Sequence, residues 1–377
     1  MVMQPGPKLL DFKMATLDGP LDEVLQNAVS SQARVEIVQR LWRGRTGQSP
    51  KIVHFAWDAY FGYYTRECNA ALTDEGAHLC SRTHRSLLQV AHLLEDAADE
   101  EEIRERLRQT LKTQRTSADE KKMLDGSLKL ASRIFAMISI GPLSSEISAK
   151  HSLPWTQGTF TDAVHGYFNQ PPDIELDPKE DVVSVDLVCH TIERMSGIEV
   201  HWTDNLLDHL RLVEGDKKLC VFHHASFLRK MMAIESPIFP DGLIEETLDT
   251  LALLFPESDR KTKRWLSMKG RANSAQMPID STLAKCGRYR PGHPSRRLER
   301  FKFWRDRLVL LGEAVEEATP TSKALLKALK DSKKGDHWLN SWIAIVAIGL
   351  TLFFGLVQSI EGAIQVYKAY HPQAESA

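Results

Sequence analysis

Residues 338 to 360, WLNSWIAIVAIGLTLFFGLVQSI, form an apolar run without a charged side chain, and no other feature of the 377-residue chain restricts its fold as strongly. At about 1.5 Å of rise per residue, a helix of this length covers the roughly 30 Å hydrocarbon core of a bilayer. Buried helices of globular proteins are usually shorter and carry a polar stripe, so the run predicts a C-terminal transmembrane helix. Lys323, Lys327, Lys330, Lys333 and Lys334 precede it, whereas Lys368 is the one Lys or Arg that follows. That asymmetry predicts a membrane protein whose body faces the cytosol. With 17 residues after the run, the expected plan is single-pass and tail-anchored.

Within the run and just past it, Ala347, Thr351, Gly355, Ser359 and Ala363 recur every fourth residue and share one helix face. A stripe of small side chains lets a second backbone approach, so it predicts a homo-oligomer interface in the span. The remaining expected partners are the membrane and a protein of unknown identity.

The rest of the chain predicts a mainly α fold: a helical cytoplasmic body with a small β-hairpin element, plus the transmembrane helix. Residues 1–140 read as a helical region. Within it, 84–114 and 117–139 place Leu, Ile and Met at three- and four-residue spacing, and Ser117 with Glu120 matches a capping box. The cluster Phe55, Trp57, Tyr60, Phe61, Tyr63 and Tyr64 fits core packing, because aromatic rings dominate core energetics. Five prolines between 142 and 178 mark 141–180 as a linker that docks by its aromatics. Residues 181–270 form a mixed domain, with a helix stopped by Gly197, a strand at 198–202, a hairpin over 211–222 turning at Gly215-Asp216, and a helix capped by Asp241. A basic loop (271–296) and an amphipathic helix with its stalk (297–336) lead to the span at 338–360, and a tail covers 361–377.

The strings LPWTQGTF (153–160), HWTDNLLDHLRL (201–212), VFHHASFL (221–228) and LTLFFGLVQSIEGAIQVYKAYHP (350–372) resemble a large set of filamentous-fungal proteins of unknown function that end in one membrane span. The resemblance implies a fungal origin and the same single-span plan. It implies no activity and no catalytic residue.

For chemistry, His190, His201, His209, His223 and His224 crowd together with Asp204, Asp208, Cys189 and Cys220 between 189 and 224. Imidazole, carboxylate and thiolate are zinc ligands, but neither HExxH nor CxxC occurs, and neighbouring His223 and His224 on a strand point to opposite faces. No metal or cofactor is expected, and a metal-dependent enzyme on this segment is the alternative function. The scattered Cys68, Cys80, Cys189, Cys220 and Cys286 fit buried, reduced thiols. No phosphate-cradling loop or nucleophile elbow occurs, and the missing recognition helix argues against nucleic acid.

Between 257 and 307, 15 Lys or Arg face five Asp or Glu. Arg296, Arg297, Arg300, Lys302 and Arg305 form the expected surface for anionic lipid headgroups. Leu298, Phe301, Trp304, Leu308, Leu311 and Val315 make the apolar face of the last body helix, which suits packing on the body, on a copy of itself or on a membrane. The overall expectation is an anchored protein whose body works as an interaction module.

Overall fold

The computed structural model describes residues 19–25, 29–42, 56–72, 78–80, 82–96, 99–109, 111, 116–141, 151–175, 187–273, 277–287, 298–318 and 338–370. Two compact units emerge, Met1–Ala318 and Thr319–Ala377.

The first unit begins with helices α1 (Ser31–Leu41), α2 (Asp58–Ala71), α3 (His84–Glu95), α4 (Glu100–Arg108) and α5 (Ser117–Ala136). The expected helix over 84–114 is two helices, because Asp99 accepts from the Glu102 N–H and starts α4 afresh. Helix α5 is capped one residue earlier than the sequence suggests, by Thr116 bonding the Asp119 N–H. Its far end is closed by side chains from other elements. Trp42 Nε1 donates to the Phe135 carbonyl, Tyr60 to Ile134 and Tyr63 to Arg133, at 2.9, 2.8 and 3.1 Å. The Phe135 and Ile134 carbonyls are of the kind a helix terminus leaves without partners, whereas that of Arg133 also accepts from the Met137 N–H at 2.9 Å. Tyr60, Phe61, Tyr63 and Tyr64 of the aromatic cluster are buried in the core, with half-buried Trp57 stacked on Trp42 at 5.4 Å, and Phe55 lies outside the described residues.

The expected linker contributes helix α6 (Phe160–Phe168), whose Phe160, Val164 and Phe168 are buried in the same hydrophobic core that runs from Leu21 to Val315. A domain boundary at 141–180 thus falls inside the first unit. Apolar burial decides this, since the prolines interrupt helices without preventing aromatic docking.

Helix α7 (Cys189–Ser196) ends at Gly197, whose φ of 74° supplies the left-handed cap. Strands β1 (Glu199–Thr203), β2 (Leu212–Val213) and β3 (Lys218–Phe222) make one sheet in the order β1-β3-β2. The hairpin pairs β2 with β3 antiparallel, and β1 joins β3 in parallel with Thr203 opposite Phe222. The element is therefore a three-stranded sheet, more than the hairpin expected. Helices α8 (Ala225–Ala233), α9 (Leu243–Leu254), α10 (Arg260–Asn273) and α11 (Arg305–Ala318) complete the unit. Gly242, with φ of 88°, precedes α9 in place of the expected Asp241 cap. Leu298, Phe301, Trp304, Leu308, Leu311 and Val315 are all buried, so the amphipathic segment packs on the body.

In the second unit, α12 spans Trp338–Tyr370. Among the described residues no helix is long and apolar enough to cross a membrane. This corrects the expected transmembrane helix, and with it the tail-anchored single-pass plan, the membrane localisation and the cytosol-facing orientation. The described side chains of α12 run from 347 to 363, and after Val357 come Gln358, Ser359 and Glu361. A span needs about 20 consecutive, predominantly apolar residues. The stalk at 321–334 lies outside the described residues.

Candidate functional sites

Parallel pairing of β1 with β3 brings two strand ends side by side. The chain leaves β1 at Asp204 and β3 at His223 and His224, so these three residues meet at the carboxyl ends of neighbouring strands. Because β3 stops at Phe222, the two histidines escape the strand alternation expected for them, and their rings stack with centroids 4.1 Å apart.

Asp204 Oδ2 accepts from Arg66 of α2 at 2.8 Å, and Oδ1 accepts from His224 Nε2 at 2.7 Å. His223 Nε2 lies 3.5 Å from the same Oδ1, at the outer limit of hydrogen-bond reach, and makes no hydrogen bond. Both imidazoles are almost wholly buried, whereas the Arg66 side chain is 33% exposed and that of Asp204 16%. The donor atoms of Asp204, His223 and His224 all lie within 4.8 Å of one another. Burial alone raises the Asp204 pKa, but the two histidines outweigh it and hold the carboxyl well below its ordinary range. Burial, helped by the adjacent His224, pushes His223 down to about 4.

The other candidates from this segment do different work. His209 is fully buried: its Nδ1 accepts from the Phe222 N–H at 3.3 Å, and its Nε2–H donates to Thr250 Oγ1 at 2.8 Å. Thr250 passes its own proton to the Thr247 carbonyl. Burial, reinforced by the Arg307 cation, lowers its pKa to about 3. His190 bonds Asp259, which accepts from Lys261 and Thr262 at the start of α10. Asp208 is tied to the His151 N–H, Asn205 and Arg211, and His201 is exposed on β1. Cys189 and Cys220 are free thiols. Burial pushes Cys220 up to about 11 and Cys189 well above its ordinary value, so neither is a ready thiolate.

Of the expected anionic-surface residues, Arg296 and Arg297 lie outside the described residues. Arg300 is exposed and faces Asp249 at 3.8 Å. Lys302 donates to Asn169, and Arg305 bonds the Ile174 carbonyl. Arg307 is spent on the body too, donating to the carbonyls of Leu207 and His209.

On α12, Ala347, Thr351, Gly355, Ser359 and Ala363 lie along one face as expected, and Thr351 Oγ1 donates to the Ala347 carbonyl of its own helix at 2.8 Å. Exposed around this helix are Ile348, Leu350, Leu352, Phe353, Phe354, Leu356 and Ile360.

Two functional features escaped the sequence: Arg66 as the partner of Asp204, 138 residues away, and Glu246, whose carboxylate accepts from the N–H groups of Lys302, Phe303 and Trp304 at 2.7 to 2.8 Å. Burial raises the Glu246 pKa, and the three N–H groups offset this in part. No protein-family model, curated protein or solved structure matches this chain.

Proposed function

We propose that this chain is an interaction protein that assembles with copies of itself through α12. The observation that carries the reading is the uncovered apolar surface of that helix. Seven large side chains from Ile348 to Ile360 are exposed by about half or more. Together they present on the order of 700 Å² of apolar surface spread round the helix, of which a second copy covers the part that flanks the small-residue face. A helix that is hydrophobic all round is stable when something covers it.

A second copy fits that cover on charge and shape. No Asp, Glu, Lys or Arg lies between 338 and 360, so two such helices meet without like charges opposed. The Ala347–Ala363 face is low, and of its two hydroxyls, on Thr351 and Ser359, that of Thr351 donates within its own helix. Close backbone approach then supplies dispersion contacts along the stripe.

The test compares the full-length parent with Gly355→Ile and Leu356→Ile by cross-linking and sedimentation at equal concentration in mild detergent. A Cβ added at Gly355 meets no neighbouring group within 4 Å, so the position is open to a larger side chain. Self-association of the parent, reduced at least tenfold by Gly355→Ile and unchanged by Leu356→Ile, is the expected result. A monomeric parent or equal behaviour of the two variants refutes the proposal. Recovery of a monomeric parent on phosphatidylcholine vesicles does the same, because lipid is then the occupant.

A further inference from the structure

We propose that Asp204, His223 and His224 form a binding site for a zinc-like transition-metal dication, with Asp204 Oδ1 and the two Nε2 atoms as ligands.

A purely structural role accounts for part of the cluster. Asp204 is satisfied by Arg66 on one oxygen and His224 on the other, and a charge cluster needs nothing more. His223 is the residue such a role leaves unexplained. Its Nε2 is wholly buried, aimed at an oxygen that His224 has already engaged, and without a hydrogen bond. Leaving a buried polar atom unpaired costs about 1–3 kcal/mol, which an ion binding between the three donors recovers.

The donor set selects the ion. Two imidazole nitrogens and one carboxylate oxygen suit zinc and its neighbours, whereas calcium and magnesium take oxygen ligands. Zinc bonds of about 2.0–2.2 Å require donor atoms roughly 3.3 Å apart. The Asp204–His224 separation of 2.7 Å therefore opens slightly, and the Asp204–His223 separation of 3.5 Å already fits. Arg66 holds Oδ2 and so turns Oδ1 toward the imidazoles, as outer partners of ligating carboxylates do.

Binding uses the lone pair of each Nε2, so the proton of each neutral ring moves to Nδ1. For His223 this turns Nδ1 from acceptor to donor against the Asp280 N–H at 3.4 Å, so the ring has to swing off that contact, a cost that the metal bonds must exceed. The partly exposed Asp204 and Arg66 side chains mark the entry route and leave room for water as the fourth ligand.

The experiment is equilibrium dialysis of the full chain against Zn²⁺, with Co²⁺ as a spectroscopic probe. The parent is expected to bind stoichiometrically and reversibly by chelator, and to give the visible ligand-field bands of low-coordinate Co²⁺. Asp204→Asn, His223→Ala and His224→Ala should each weaken binding at least tenfold, while His201→Ala, exposed on β1, should not. Should a variant fail to fold, histidine ¹⁵N spectra of the parent decide the matter: zinc must shift Nε2 of His223 and His224 and move their protons to Nδ1. A parent that binds no zinc, binding that survives His223→Ala and His224→Ala, or unshifted ¹⁵N resonances overturns the site.

Discussion

Acid should destabilise the first unit through His209, and the size of the effect follows from its surroundings. The Phe222 N–H occupies Nδ1 and Thr250 accepts from Nε2–H, so the neutral Nε2–H tautomer satisfies both nitrogens. A second proton has no acceptor, and the Arg307 cation lies close by. The folded pKa is about 3 against an ordinary 6.5. Because the folded value lies below the unfolded one, the contribution is complete above about pH 6.5 and is lost as pH falls from there toward about 3. At about 1.4 kcal/mol per pH unit, lowering pH from about 7.5 to about 5 removes roughly 2 kcal/mol. His209→Gln keeps a donor for Thr250 but cannot titrate. Urea unfolding at the two pH values should therefore show the parent losing about 2 kcal/mol more than the variant. Equal losses would refute the burial argument, as would a ¹⁵N titration placing the His209 pKa near its ordinary value.

Substitutions at three further positions probe the packing. Glu246→Ala strips the acceptor from three N–H groups at 302–304 and should cost about 3–5 kcal/mol by urea unfolding, with Glu246→Gln costing less because one oxygen remains. Tyr60→Phe should cost about 1–2 kcal/mol by the same measurement, since it leaves the Ile134 carbonyl at the end of α5 short of a buried donor. Gly126→Ala improves intrinsic helix propensity by about 1 kcal/mol, yet a Cβ there would sit 2.1 Å from the His78 carbonyl oxygen. Its melting temperature should fall, and a rise would show that the two segments do not touch.

Periodicity made the helical stretches from 84 onward and at 117–139 legible but not α1, α2 or the break between α3 and α4, and Gly197 and Gly215-Asp216 located a helix end and a turn because left-handed backbone leaves a residue signature. The parallel partner of β3 was not legible: β1 reads as an isolated strand, and nothing local distinguishes parallel from antiparallel pairing. That missing step hid the candidate site, because only the parallel register sets Asp204 beside His223. The same histidines were misplaced by strand alternation, which lapses one residue past Phe222. The apolar run at 338–360 carried a membrane reading on composition and length alone, and the described part of α12 does not meet the length and apolarity that a span requires.

The sequence was also silent about the polar groups that fasten the unit together, since they act across long separations. Helix α8 has no cap of its own; His224 stands at the cap position, and its side chain bonds Asp204 rather than the N–H groups of the helix. Asp280, 54 residues downstream, takes that role by accepting from the Ser226 N–H at 2.6 Å and the Ser226 hydroxyl at 3.1 Å, with Thr282 on the same oxygen as the hydroxyl. A carboxylate at a helix N-terminus also opposes the macrodipole, worth about 0.3–1 kcal/mol and up to about 2 when partly buried. The backbone N–H of the same Asp280 rests on His223 Nδ1. One residue thus sets both the start of α8 and the tilt of the unpaired imidazole. Asp280→Asn keeps an oxygen for Ser226 but removes the charge and turns an amide donor toward hydroxyls that already donate. It should cost about 1–3 kcal/mol in urea unfolding and shift the His223 ¹⁵N resonances although His223 itself is untouched. If His223 is unmoved while stability falls, Asp280 caps the helix without holding the ring.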